Sequence, residues 1–199
     1  MANLQLSKRL QLHVIWVTSC ETAGVRLDLA GESLRNAQMS KAVLVGARLN
    51  GVDFRNANLT HADFTGADLR DADLRCARLE GADFSAANVK GILLRGAKLT
   101  GANLVRAHLN SSDLSDTVMN GVDLTGALLR GSNLQQADLS CANLRGADLS
   151  CADLRGALLC GADLGCADLL EANLEGAVVD QNTNLEGAKV DMEDLQTLA

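Results

Sequence analysis

The side chains able to do chemistry here are six Cys, three His and many Asp, in 199 residues with a net charge of −7. Zinc or redox chemistry would call for paired cysteines at short spacing. Cys20, Cys76, Cys141, Cys151, Cys160 and Cys166 contain no C-x-x-C pair. They read as unpaired surface thiols in a reducing cytoplasm. Phosphate binding would call for a Gly-rich G-x-x-x-x-G-K loop, which does not occur. Nucleic-acid binding would need a basic surface or stacking aromatics, against an acidic balance and an aromatic content of 2%. Without an apolar run of ~18 residues, no transmembrane helix is expected. What remains is a set of carboxylates, and their meaning depends on the elements that space them.

The spacing is a beat of five. From Leu34 to Val179 every fifth residue is large and apolar: 30 centres, of which 23 are Leu, three Phe, two Met and two Val. Two positions before each centre sits a small residue, Ala in 23 of 29 instances from Ala37 to Ala177. The exceptions are Val52, Ile92, Ser112, Thr117, Val122 and Ser132. Between the two stands Asp or Asn, as in Ala137-Asp138-Leu139-Ser140-Cys141-Ala142-Asn143-Leu144. A helix repeats near 3.6 and a strand at 2. A period of five would make a helical face drift by about 140° per repeat. Only a solenoid accommodates it, each repeat burying its apolar residues against stacked neighbours. The centre and the small residue share a parity, so both point inward and the Asp or Asn points out. Gly is frequent two after the centre (Gly46, Gly51, Gly66, Gly81, Gly101, Gly126, Gly146), where a corner needs φ > 0.

These residues resemble the pentapeptide-repeat family, whose motif is A-[D/N]-L-x-x, over roughly residues 25–190. The resemblance implies an all-β solenoid, a right-handed quadrilateral β-helix in which four pentapeptides make one square coil. About seven to eight coils at ~4.8 Å per layer would give a rod on the order of 35–40 Å long. Residues 20 apart then stack, and the centres sort into four faces, named here by their first members: Leu34, Met39, Leu44 and Leu49. One domain is expected: an N-terminal cap over 1–24, the repeat β-helix over 25–181 and a C-terminal cap over 182–199.

In the first segment, Leu6, Leu10, Val14 and Val17 are helix-spaced, whereas Leu10, Leu12, Val14 and Trp16 alternate like a strand; both readings stand. Lys8 and Arg9 ahead of an apolar stretch ending in Val17-Thr18-Ser19-Cys20 faintly resemble an export signal, but the stretch is short and carries Gln11 and His13. Glu32 at a small position suggests that regular stacking begins only around Ala37. After Val179 the beat slips by one residue, and Met192, Leu195 and Leu198 fall on one side of a short amphipathic helix.

On the Leu34 face, Arg35, Arg55, Arg75, Arg95 and Arg155 share the surface with Asp53, Asp73, Asp113, Asp116, Asp153 and Glu175, a salt-bridge ladder by composition. The Leu44 face carries Asp63, Asp83, Asp123 and Asp163 in one column, interrupted by Asn103 and Asn143. On the Met39 face, Leu158 and Val178 occupy outward positions that stack, with Cys160 beside them and Val118 further up the column. His13, His61 and His108 fall in the cap and on different faces, so no catalytic, cofactor or metal constellation forms.

The expectation is a non-enzymatic module that presents surface columns to a protein partner. Leu158, Val178, Met192, Leu195 and Leu198 form the candidate contact, first for a homodimer through the C-terminal end. Two alternatives come from the resemblance. The family's gyrase-binding DNA mimics are mostly Phe-centred and strongly acidic on one face, whereas this chain is Leu-centred and mildly acidic. Similar repeats in eukaryotic proteins follow a BTB domain that recruits a ubiquitin ligase, a reading that would make this chain a fragment.

Overall fold

The computed structural model describes residues 2–191, with side chains from Gln5 onward. The repeats build a right-handed quadrilateral β-helix. Each face is a short extended stretch pairing in parallel with the stretch one coil away, as in Asp53↔Asp73 and Asp123↔Asn143. One column runs Asp28, Arg48, Asp68 and onward to Lys189. Two ladder bonds tie each face upward and downward: Leu104 N–H donates to the Asp123 carbonyl at 2.7 Å, and Asp123 N–H to the Ala102 carbonyl at 3.0 Å.

The corner follows from the backbone. The N–H of each small residue closes a turn onto the preceding centre's carbonyl, as Ala57 does to Phe54 at 2.9 Å. At each corner of the coils the residue two after the centre is the one with φ > 0, the requirement of a type II turn. Glycine meets it without strain, but Asn56, His61, Cys76, Ala86 and Arg106 adopt φ between 54° and 59° as well. A left-handed non-glycine residue costs roughly 1–2 kcal/mol. The turn hydrogen bond and a ladder bond from the corner N–H, such as Cys76 to the Arg95 carbonyl at 3.0 Å, hold it there.

Inside, centres and small residues fill the bore. Leu104 is 1% exposed, and Phe64 and Phe84, one coil apart, stack with ring centroids 4.6 Å apart. The exceptions to Ala also point inward. Ser112, Thr117 and Ser132 are buried, and each hydroxyl donates to a main-chain carbonyl (Val89, Leu114 and Leu129), so none of these three is stranded.

At the N-terminal end, helix α1 (Ala2–Thr18) lies against the first coil. Leu6 and Leu10 pack on the core, and His13 is fully buried. Val14, which the helical spacing places with them, is instead exposed. Gly24 (φ +78°) lets the chain turn back from α1, since a Cβ there would lie 2.4 Å from the Leu12 carbonyl oxygen. Regular pairing starts before Ala37, with Asp28↔Arg48 and Ser33↔Asp53. Ladder bonds need no small side chain, and the Glu32 carboxylate turns out to Arg9 of α1 at 3.0 Å.

Near the other end, the slip after Val179 appears as pairing offsets of 21 instead of 20, Asp163↔Asn184 and Asp168↔Lys189. The extra residue bulges out over 180–183. Asp180 Oδ1 takes the Gly161 N–H at 2.8 Å, and the Thr183 hydroxyl donates to the Leu159 carbonyl at 2.9 Å. Met192, Leu195 and Leu198 lie outside the described residues.

Candidate interaction surface

The outward Asp and Asn are fastened to their own chain. Asp63 Oδ1 accepts the Thr65 N–H at 2.9 Å and its hydroxyl at 2.6 Å. Asp123 does the same with Thr125, and Asp163 accepts the Gly165 N–H at 3.0 Å. Asn103 and Asn143 brace Val105 and Arg145 likewise, at 3.1 and 3.3 Å. These are Asx turns, in which a short side-chain oxygen satisfies a corner N–H two residues on. Either Asp or Asn serves, which explains why the two alternate along the column. The Leu44-face carboxylates are therefore corner braces before they are a charge array.

On the Leu34 face the ladder is present. Arg55 forks onto Asp53 at 2.7 Å and reaches Asp73 at 3.2 Å; Arg75 holds Asp73 at 2.6 Å and Arg155 holds Asp153 at 2.7 Å. Arg95 crosses to Asp116 at 3.1 Å. The Arg55 hydrogen bonds pull the Asp53 carboxyl down to about 2. Burial pushes the Asp73 carboxyl up, but Arg75 and Arg55 outweigh it and the net shift is downward. On the Leu49 face, Arg70 lowers Asp68 and Lys189 lowers Asp168 in the same way.

The Met39 face is different. Leu158 and Val178 pair across adjacent coils and are 41% and 45% exposed. Above them Asp138 interrupts the column, and Val118 beyond it is exposed too. At the corners beside them the Gln136 side chain covers Gly156 and Asp180 takes the Gly161 N–H at 2.8 Å, with Cys160 half-buried and its Sγ 4.0 Å from the Val178 carbonyl. Two apolar side chains therefore stand exposed between polar corner neighbours. Of the five candidate contact residues, the structure brings these two together.

All six thiols are unpaired, with Cys76, Cys141, Cys151 and Cys166 exposed at corners. Cys151 Sγ lies 3.3 Å from a Glu171 oxygen, and that carboxylate pushes the thiol above its ordinary value. Among the described residues, no three His, Cys, Asp or Glu side chains converge as a metal site would need, and no helix is long and apolar enough to cross a membrane.

The pentapeptide repeats family model matches in 8 copies, over residues 26–56, 53–91, 92–131, 127–165 and 152–191. The chain is similar to HetL, a pentapeptide repeat protein involved in heterocyst differentiation regulation from the cyanobacterium Nostoc sp. strain PCC 7120. Identity is 32% over 82% of this chain and 85% of that one, with a TM-score of 0.38. It is also similar to a trypsin-treated variant of QnrB1, a plasmid-mediated fluoroquinolone resistance protein. Identity there is 22% over 88% of this chain and 94% of that one, with a TM-score of 0.51. A pentapeptide repeat protein from the Arabidopsis thaliana thylakoid lumen is 34% identical over 52% of this chain and 69% of its own, with a TM-score of 0.39. A comparison with curated protein sequences returns no match. With the family match running from residue 26 to 191 and the five-residue beat folded as square coils, the chain belongs to the pentapeptide-repeat family.

Proposed function

We propose that the chain is a non-enzymatic interaction module, a rigid rod whose Met39 face docks another protein at its C-terminal half. The carrying observation is the stacked, exposed pair Leu158 and Val178 on a face otherwise lined by small or polar side chains. An apolar pair held rigid on a flat lattice binds without ordering cost in the rod itself. The first partner is a second copy of the chain, since two-fold dimers join identical patches, with Met192, Leu195 and Leu198 extending the contact. The net charge of −7 and the pairing of Arg with Asp along the ladder favour a protein over nucleic acid or a membrane surface. Six unpaired thiols suit a reducing compartment such as the cytoplasm.

Sedimentation velocity tests the reading. The parent should self-associate at micromolar concentration, and Leu158→Glu with Val178→Glu should sediment as monomer with an unchanged melting temperature, because both side chains point outward. A strictly monomeric parent would remove the dimer. The gyrase reading draws on the Asp63, Asp83, Asp123 and Asp163 column and on the fold shared with QnrB1. It ranks second because those carboxylates bend onto corner N–H groups, and duplex DNA carries one charge per ~1.7 Å. No inhibition of gyrase supercoiling is expected at micromolar protein.

A further inference from the structure

One ionisable group sits deep in the molecule and has no part in the docking face. His13, on the inner side of α1, is 0% exposed, and its Nδ1 accepts the Leu27 N–H at 3.0 Å. An accepting Nδ1 carries no proton, so the hydrogen-bond network assigns the neutral Nε2–H tautomer. The imidazole stacks on Trp16 with centroids 5.5 Å apart and planes 16° from parallel. Trp16 lies over the Gly46 corner, 3.6 Å from where a Cβ would stand, and the Arg26 guanidinium is 5.8 Å from its ring. Ring stack, ladder end and helix thus meet at one buried nitrogen.

We propose that His13 is an acid-sensitive latch, docking α1 on the first coil when neutral and releasing it when protonated. A proton on Nδ1 would set a donor against the Leu27 N–H. It would also bury a cation that only the Val45 carbonyl helps to stabilise, since Nε2 makes no well-formed hydrogen bond among the described residues. The surrounding charges do not compensate. Arg26 of the first coil repels an imidazolium. Arg9, one turn earlier on α1, is held by Glu32 at 3.0 Å, and Asp28 is engaged by Arg48 of the second coil at 3.3 Å. Glu21, beyond the end of α1, is exposed.

Burial first, and Arg26 after it, lower the His13 value below 6.5, with the Val45 carbonyl opposing. A His lowered in the docked state favours docking fully above 6.5. That contribution drains away as pH falls from 6.5 towards the docked-state value, the ratio of docked to released α1 dropping tenfold per pH unit. The ladder carboxylates titrate much lower, Asp53 at about 2, so the coils outlast the latch. Release bares Leu6, Leu10 and the end of the first coil.

Trp16 is the one Trp in the chain, so its emission reports on this contact alone. The full chain is titrated from pH 8 to 5, following Trp16 fluorescence, the coil melting transition and the His13 ring resonances by NMR. The expected result is a red shift of Trp16 emission with a midpoint below 6.5, matching the His13 titration, while the coil transition persists. His13→Gln, whose amide oxygen can still accept from Leu27, should give emission independent of pH over this range, whether α1 is docked or released. Flat emission in the parent would overturn the latch. So would a red shift that survives in His13→Gln, or a His13 ring titrating at 6.5 or above.

Discussion

Each side chain of the repeat has a separate physical role. The centre fills the bore, the small residue lets the coil close around it, and the Asp or Asn between them braces the next corner. Leu104 tests the role of the centre, since it lies in the Phe84 and Leu124 column and is 1% exposed. Leu104→Asp places a carboxylate where nothing can pair with it, and we expect a loss on the order of 5 kcal/mol. A thermal melt within a degree or two of the parent would contradict the inward register. The thiols give a second check. Cys76, Cys141 and Cys166 should react quickly with a maleimide under native conditions, and Cys151 more slowly, since Glu171 disfavours its thiolate. Glu171→Gln should remove that lag, read by mass spectrometry of the labelled peptides. The inward residues were legible from the beat alone, because parity and period leave them no other place. The corner residues were legible only at glycine. Nothing in the side chains of Lys41, His61 or Cys76 announces φ > 0; the closure of the square imposes it.

Among the elements, α1 shows why a short terminal segment resists reading. The side that meets the coil carries Leu6, Arg9, Leu10, His13 and Trp16. Arg9 and His13 interrupt the apolar periodicity, while Val14, which strengthens it, stands exposed, as does Ile15 beside it. The polar residues on the docked side are there to bond the ends of the coil backbone, a need no hydrophobic pattern encodes. By contrast the slip after Val179 was legible, because a broken beat must break the stacking offset. The Arg and Asp ladder was also legible from composition, but its fork geometry came only with the coordinates. Asp53, Asp68, Asp73 and Asp153 all have carboxyls held low by the Arg two residues on. A carboxyl lowered in the fold stabilises fully above its unfolded value, near 3.8, and loses that contribution as pH falls through its folded value. The coil melting temperature should therefore drop between about pH 4 and pH 2. Asp53→Asn keeps the Asx brace and removes the charge, so it should flatten part of that drop. At neutral pH it should cost less than about 1 kcal/mol, as expected of solvent-accessible pairs. An acid profile unchanged by Asp53→Asn would show the ladder to be electrostatically idle.

For the molecule as a whole, the solenoid converts sequence position into surface position. Residues 20 apart become neighbours, so Leu158 and Val178 were legible as a stacked pair from the beat, whereas the Gln136 and Asp180 side chains that flank them at the Gly156 and Gly161 corners were not. Leu170 beside the Leu49 face is exposed too, but it stands alone, whereas Leu158 and Val178 stack across adjacent coils, and that stacking is what supports the proposed docking face. Cys160 lies beside the pair with its Sγ 4.0 Å from the Val178 carbonyl, while Cys151 is at the opposite corner of the coil. The direct test is the rate of Cys160 modification by a thiol reagent as protein concentration is raised through the micromolar range, with Cys151 and Cys76 as internal references. If the Met39 face docks a second copy, Cys160 labelling slows with concentration in the parent, holds constant in Leu158→Glu with Val178→Glu, and leaves the reference thiols unaffected. A Cys160 rate that stays level with concentration in the parent, or that slows equally in the double variant, would contradict the docking face.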